Sequence, residues 1–293
     1  MDNNLILRTI QVLLVVTIIF VTGYIIQHTR RHKINMFERF GTGFWIGLVT
    51  DCLDAIGIGS FATTTTFFKM TKLVSDDSKI PGTMNAVHLI PTLVQALCFI
   101  LAVKVDMTTL LSMAVASIFG AIAGTRITRN WKTSTVQLVL GTLLIIASCF
   151  TVYRLLTNPG EGLTDNVTGL TGIWLIIGII FNFLCGALMT IGLGNYAPEL
   201  IFFSMLGINP TVAMPVMMLN AAVVMTTSTI PFIKADRVNW TGFAGMVIGG
   251  VIGVIIAVLF LTNIPITVLK WLVVFVVIYT GISMIKASRQ AKA

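Results

Sequence analysis

The sequence predicts an all-α protein that crosses a membrane several times. Its 293 residues are 56% hydrophobic and only 10% charged, whereas about a quarter of the residues in a soluble domain are charged. The apolar stretches have the length of roughly 20 residues that a helix needs to cross a bilayer. They lack the alternation of polar and apolar residues that marks a membrane β-strand, so the spans are expected to be helices.

Seven apolar stretches are long enough to cross the bilayer once. At about 1.5 Å per residue, each covers a hydrocarbon core of about 30 Å. They are residues 5–27, 82–104, 107–127, 133–156, 209–233, 240–262 and 266–286. The first stretch is too long for the apolar core of a signal peptide and lacks a small-residue cleavage site. It is therefore expected to remain as an N-terminal helix.

Two longer apolar regions, 41–72 and 170–207, are each interrupted by a Gly-x-Gly sequence that begins at Gly57 in the first region and at Gly192 in the second. As single helices these regions would be about 48 and 57 Å long, too long for one crossing. Each is therefore predicted to break at its glycines, which tolerate tight backbone geometry, and to form a hairpin.

The charges of the loops set the orientation of the spans. Arg and Lys accumulate in cytoplasmic loops. Loops 28–40 and 126–132 and the C-terminal tail are basic, whereas loop 157–169 has two acidic residues and no basic one. The basic segments share one side only if regions 41–72 and 170–207 each enter the membrane and return. The N-terminus is then outside and the C-terminus cytoplasmic.

The chain accordingly divides into two halves of opposite orientation. The first hairpin enters from the cytoplasmic side and the second from outside, which makes an inverted-topology repeat. Each repeat has a broken, re-entrant helical hairpin followed by three transmembrane helices. The predicted divisions are an N-terminal helix with a basic cytoplasmic loop (1–40), the first repeat (41–156), an extracytoplasmic linker (157–169) and the second repeat with its basic tail (170–293).

Paired helix breaks in corresponding positions are the sequence signal of a transporter's substrate site. Backbone groups that a break leaves unpaired can line a cavity, and helix N-termini favour an anion. The substrate is expected to be bound by Gly57, Gly59, Ser60, Thr63, Thr64, Thr83, Asn85, Gly192, Gly194, Asn195 and Asn220. The alternative roles are bonds from the threonines to their own helix and interhelical bonds from the asparagines.

Four ionisable residues at membrane depth are candidates for coupling transport to a proton or a cation: His88, Asp51, Asp54 and Glu199. Such residues are costly in a membrane and suggest function by default. His88 can take up a proton near neutral pH, and a hydrogen-bonded structural role is the alternative. Asp51 and Asp54 argue against a purely anionic pathway unless they are paired or protonated.

Other classes of protein are disfavoured. The net charge of +8 comes from basic residues in short loops, where the positive-inside rule puts them, so nucleic-acid binding is not expected. The cysteines show no metal-ligand spacing, so neither a disulfide framework, a metal nor a cofactor is indicated. The acid–base candidates lack a nucleophile motif, so an enzyme is not expected. Two small-xxx-small pairs predict close helix packing instead: Gly120/Gly124 and Gly249/Gly253.

The residues around both breaks resemble those of the TauE/SafE family of membrane anion permeases, often called sulfite exporters. The similar segments are Gly57-Ile58-Gly59, PGTMNA at 81–86, GLGNYAPEL at 192–200 and MMLNAA at 217–222. The resemblance implies two related halves, export of sulfite or organosulfonates, and a bacterial inner-membrane location. The sequence departs from the family pattern of a glycine run followed by proline, because Ser60 interrupts the run and Thr63 stands where the second half has Pro198.

The sequence thus predicts a secondary transporter that exports a small oxyanion by alternating access between the two breaks. The alternatives are a passive, channel-like anion permease and a transporter of a different small solute coupled through Asp51 and Asp54. The expected partners are a small anion and the lipid bilayer, and a homodimer is an open alternative to a monomer.

Overall fold

The computed structural model describes residues 3–56, 58–100, 105–158, 167–261 and 267–290. Within these ranges the chain forms twelve α-helices and no strand. The helices are α1 (Asn3–Arg31), α2 (Phe40–Ala55), α3 (Ser60–Thr71), α4 (Ile80–Val87), α5 (Leu89–Ile100), α6 (Met107–Thr128), α7 (Thr133–Thr157), α8 (Gly172–Met189), α9 (Tyr196–Met205), α10 (Pro210–Lys234), α11 (Phe243–Ile256) and α12 (Thr267–Gln290). A 3₁₀ turn precedes α4 and a π-helical segment, Ala257–Leu261, follows α11.

The protein is a multi-pass membrane protein. Within the described ranges, six helical segments are long and apolar enough to cross a bilayer: Leu5–Arg31, Asp77–Ile100, Met107–Thr128, Thr133–Thr157, Gly172–Met189 and Val212–Lys234. The segment Phe243–Leu259 is apolar but shorter. Most of the predicted linker 157–169 lies outside the described residues.

The structure has a helix break at both predicted positions. The first break separates α2 from α3, and the second separates α8 from α9. Gly59 and Gly192 have φ angles of 88° and 119°, which glycine adopts without steric cost. Gly57 lies outside the described residues. The return of each hairpin to its side of entry stays a prediction.

A third interruption was not expected. The stretch 82–104, predicted as one continuous helix, is divided at His88 between α4 and α5. Pro91 explains the division, because it lacks the N–H that would bond the carbonyl of Val87 four residues earlier. The kink turns the end of α4 and leaves His88 at the junction.

Glycines bring two pairs of helices into close contact. A Cβ added to Gly120 or Gly124 of α6 would overlap backbone oxygens of α8. A Cβ added to Gly249 or Gly253 of α11 would overlap backbone oxygens of α2 in the same way. The close packing predicted for both small-xxx-small pairs is confirmed, and it fixes the first arm of each broken hairpin.

Candidate functional site

The two helix breaks border the same cavity, which has a volume of about 50 Å³. The first break contributes Asp54 and residues 58–62 to its lining, and the second contributes Met189 and residues 194–197. Residues from four further helices complete the wall: Thr92, Ala147, Ser148, Thr151, Met218, Ala221, Met225, Val274 and Val277. Because one water molecule needs roughly 10–15 Å³, the cavity has room for a few waters or one small ion.

Helices α3 and α9 both begin at this cavity. Gly59 precedes α3 and Asn195 precedes α9, and neither of these two N-cap residues caps its helix with its own side chain. The first N–H groups of a helix have no partner within it and carry a partial positive charge. Two such ends at one cavity make it chemically suited to a small anion.

A carboxyl group occupies one of these N-termini. The Oδ1 atom of Asp54 accepts a hydrogen bond from the backbone N–H of Ser60 at 2.7 Å, and Asp54 itself lines the cavity. An anion that uses the N-terminus of α3 must share it with this carboxyl or displace it. Asp54 therefore places a titratable group directly at the site.

His88 connects the two arms of the first broken hairpin. Its Nδ1 lies 2.8 Å from Oδ1 of Asp51 in α2, and its Nε2 lies 2.8 Å from Oγ1 of Thr64 in α3. All three side chains are buried. With its proton on Nδ1, the ring donates to the carboxylate and accepts from the hydroxyl. The three form a buried relay behind the cavity, outside its described lining.

The second broken hairpin holds a network built on Glu199. Its Oε1 accepts from Nδ2 of Asn195 at 3.0 Å, and its Oε2 accepts from Nδ2 of Asn220 at 3.0 Å. Asn220 also donates to Oδ1 of Asn182, and Asn195 donates to the carbonyl of Met217 at 2.9 Å. Glu199 is fully buried, whereas Asn195 lines the cavity. The Asn195 amide therefore connects the Glu199 carboxyl to the site.

Asn85 and Thr83 join α4 to the second half of the chain. Asn85 Nδ2 donates to the carbonyl of Pro81 at 2.8 Å, and its Oδ1 accepts from Oγ of Ser228 at 2.9 Å. Thr83 Oγ1 accepts from the backbone N–H of Asn239 at 2.8 Å. These contacts correspond to the interhelical role that the sequence left open for Asn85.

The threonine run of α3 bonds mainly to its own helix. Thr63 Oγ1 donates to the carbonyl of Ser60 at 2.8 Å, and Thr65 Oγ1 donates to the carbonyl of Phe61 at 2.9 Å. Thr66 Oγ1 is buried with no partner among the described residues. The hydroxyl of Thr64 alone in the run reaches an ionisable side chain, that of His88.

The structure brings together only part of the predicted substrate site. The predicted residues in the described lining are Gly59, Ser60, Gly194 and Asn195, together with the coupling candidate Asp54. The predicted residues outside that lining are Thr63, Thr64, Thr83, Asn85, Gly192 and Asn220, and Gly57 lies outside the described residues. Substrate contacts remain a prediction for all of them.

Sequence reasoning missed the contribution of α7. Ser148 and Thr151 line the cavity, and Arg154 follows at the same spacing of three residues. The Cζ atom of Arg154 lies 5.0 Å from the ring centroid of Tyr196, another residue of the lining. The available signal was the interval of three residues that separates Ser148, Thr151 and Arg154, because side chains three apart are neighbours on a helix surface.

No group of three or more His, Cys, Asp or Glu residues in the described part of the chain is arranged to hold a metal ion.

The profile of the family described as Sulfite exporter TauE/SafE matches residues 3–151 and 170–293. No curated protein and no solved structure matches the chain at a significant level.

Proposed function

Because the chain belongs to the Sulfite exporter TauE/SafE family of membrane anion permeases, we propose that it exports a small oxyanion, sulfite or an organosulfonate, by alternating access at the cavity between the two breaks. The observation that carries this proposal is the convergence of two helix N-termini, those of α3 and α9, on one small cavity. The family is one of transporters rather than enzymes.

The lining of the cavity supports weak and reversible binding of an anion. Its potential donors are backbone N–H groups, the Ser60 and Thr92 hydroxyls and the Asn195 amide, and Asp54 is the only carboxyl group in the described lining. The Ser148 and Thr151 hydroxyls also line the cavity but donate to carbonyls of their own helix. Neutral donors and helix ends attract an anion. Without a fixed positive charge at the centre, they also let it leave.

The packing of the helices supports an inverted repeat. The offset of 135 residues between Asn85 and Asn220 makes α2 equivalent to α8 and α6 equivalent to α11. In the structure α2 packs against α11, and α8 packs against α6. Likewise α3 contacts α12 while α9 contacts α7, and α7 and α12 pack against each other. Exchange of the halves thus reproduces the contacts, which is the property that a two-fold axis between the halves requires.

Two carboxyl groups, one in each half, hold donors that an entering anion would use. Asp54 accepts from the Ser60 N–H, and Glu199 accepts from the Asn195 amide. Both hydrogens of Asn195 Nδ2 are engaged, by Glu199 and by the Met217 carbonyl. Protonation of either carboxyl weakens it as an acceptor and releases a donor to the cavity. We therefore propose that a proton admits the anion.

The membrane potential supplies a driving force for export. With the cytoplasm negative, moving one net negative charge outward is favoured by about 2.3 kcal/mol per 100 mV. A dianion that leaves with one proton still carries one net negative charge. The proposed setting is a bacterial plasma membrane with the N-terminus outside and the C-terminus in the cytoplasm, and a homodimer stays a prediction.

The proposal is tested with purified protein in liposomes loaded with sulfite. The expected result is a saturable efflux that external sulfite accelerates by exchange. A flux that does not saturate and shows no exchange would favour the channel-like alternative, and no sulfite flux would refute the proposed function. Asn195→Ala should lower the flux at an unchanged protein level. Asn35→Ala, a change at an exposed loop asparagine, is the matched control and should leave the flux intact.

A further inference from the structure

Arg154 lies beside the cavity without a role in the proposed function. On α7 the cavity is lined by Ala147, Ser148 and Thr151, which lie progressively nearer to the C-terminal end of the helix. Arg154 follows Thr151 by three residues and therefore continues the same helix face by one turn. It is the next side chain that an ion moving along this face toward the end of α7 would meet.

The Arg154 guanidinium is held against a residue of the cavity wall. Its Cζ atom lies 5.0 Å from the centroid of the Tyr196 ring, within the distance at which a cation is attracted to an aromatic face. Tyr196 is the first residue of α9 and is 9% exposed, while Arg154 is half-buried. Arg154 lies three residues before the end of α7, so its guanidinium borders the cavity wall from the end of that helix.

The loop charges place Arg154 on the external side of the cavity. Loop 126–132 is basic and precedes α7, so the C-terminal end of α7 is assigned to the outside. On α12 the cavity is lined by Val274 and Val277, near the N-terminal end of a helix whose C-terminal tail is basic and cytoplasmic by the same rule. Both helices therefore place the cavity nearer to the external surface than to the cytoplasmic one. Arg154 lies between the cavity and the external surface.

We propose that Arg154, stacked on Tyr196, is the external binding point of the anion pathway and selects an oxyanion over a halide as the substrate is released. This inference rests on the proposed function. A guanidinium presents paired N–H donors in a plane, which match two oxygens of a sulfite or sulfonate group. A halide offers one centre and gains nothing from that geometry. The Tyr196 ring, itself part of the cavity wall, holds the guanidinium beside the cavity.

The test compares the KM for sulfite at the external face with the KM at the internal face, in liposomes with oriented protein. Arg154→Gln should raise the external KM at least about tenfold, as loss of a charge-assisted hydrogen bond implies, and leave the internal KM nearly unchanged. The external KM of Arg154→Lys should lie between those of the wild type and Arg154→Gln, because lysine keeps the positive charge but loses the paired N–H donors. Arg8→Gln is the matched control, since Arg8 lies exposed on α1 at the end assigned to the same side.

If Arg154 had only a structural role, Arg154→Gln would lower the transport rate from both faces and leave the ratio of the external to the internal KM unchanged. That result would overturn the inference. An equal shift in Arg8→Gln would also overturn it, because surface potential would then explain the effect. If Arg154→Gln protein does not reach the membrane, Tyr196→Leu removes the ring and keeps the charge. It should raise the external KM about two- to fivefold, and an unchanged external KM would refute the proposed binding point. Absence of sulfite flux in the wild type would instead refute the proposed function, and with it this inference.

Discussion

Replacing Glu199 by glutamine should make the cavity bind an anion more tightly and with less dependence on pH. In the wild type the carboxyl oxygens accept from Asn195 and Asn220, both at 3.0 Å. Glutamine is neutral and keeps a single carbonyl oxygen, which is a weaker acceptor for these amides than the carboxylate. Asn220 is also held by Asn182 and is fully buried, so Asn195 is expected to release its nitrogen toward the cavity.

The size of the effect follows from the bond that is weakened. A hydrogen bond to a charged group contributes about 1.5–3 kcal/mol, and one between neutral groups contributes about 0.5–1.5 kcal/mol. The difference is about 1–1.5 kcal/mol. By this amount, an ionised Glu199 weakens the binding of an anion that competes for the Asn195 amide. At about 1.4 kcal/mol per factor of ten, it corresponds to a five- to twelvefold change in Kd.

Binding of methanesulfonate to purified protein, measured by calorimetry from about pH 6 to about pH 9, tests this reasoning. A sulfonate suits the purpose because its charge stays constant over that range, so any slope belongs to the protein. The wild type should bind more weakly as the pH rises. The Glu199→Gln variant should bind about five- to twelvefold more tightly at the alkaline end and lose most of the slope.

Glu38→Gln makes the same chemical change at an exposed residue outside the helices and should behave as the wild type. A Glu199→Gln variant with wild-type affinity and an unaltered slope would refute the link between Glu199 and the cavity. A residual slope that disappears in Asp54→Asn would assign that part of the pH dependence to the first break, where Asp54 holds the Ser60 N–H.

Two further predictions concern stability, measured by thermal unfolding in detergent. Gly120→Leu should destabilise the protein by about 1–3 kcal/mol, because an added side chain overlaps the backbone of α8. Gly23→Leu is the control and should have little effect, since its added Cβ meets no atom beyond its own stretch of helix within 4 Å. Equal melting temperatures of the two variants would contradict the packing argument. His88→Ala should cost about 3–5 kcal/mol by leaving the buried Asp51 carboxyl without its partner, and Asp51→Ala in the same chain should recover most of the loss. If the double variant is no more stable than His88→Ala, the contact between His88 and Asp51 is not the source of the stability that His88 provides.

The sequence predicted where the helices break better than it predicted which side chains meet there. Length and composition alone required interruptions in 41–72 and 170–207, because one continuous helix of either length overhangs the bilayer. The glycines of the two Gly-x-Gly motifs then marked the positions. The glycine pairs of α6 and α11 were equally legible, since small residues at intervals of four have few uses other than close packing.

The sequence did not predict in which direction individual side chains point. Asn85 and Asn195 are both asparagines near a break, yet Asn85 bonds Ser228 while Asn195 lines the cavity. The difference depends on the packing of α4 against α10, which brings Asn85 to Ser228, and this packing does not follow from sequence spacing. Arg154 was overlooked because it lies outside both broken hairpins, although its spacing from Thr151 places it on the cavity face of α7.

The two halves share a framework but differ in the chemistry of one equivalent position. Thr64 and Glu199 are 135 residues apart, which is the offset of the predicted repeat. Each is the point where a buried polar network meets the helix that follows the break, α3 or α9. In the first half the hydroxyl joins His88 and Asp51, and in the second half the carboxyl itself accepts from two asparagines. Identical halves would give a site the same affinity from either face. At this equivalent position the ionisable group lies behind the cavity in one half and against a cavity residue in the other. Under the proposed proton coupling, we therefore expect protonation of these two networks to have different effects, so that release to the outside differs from uptake inside.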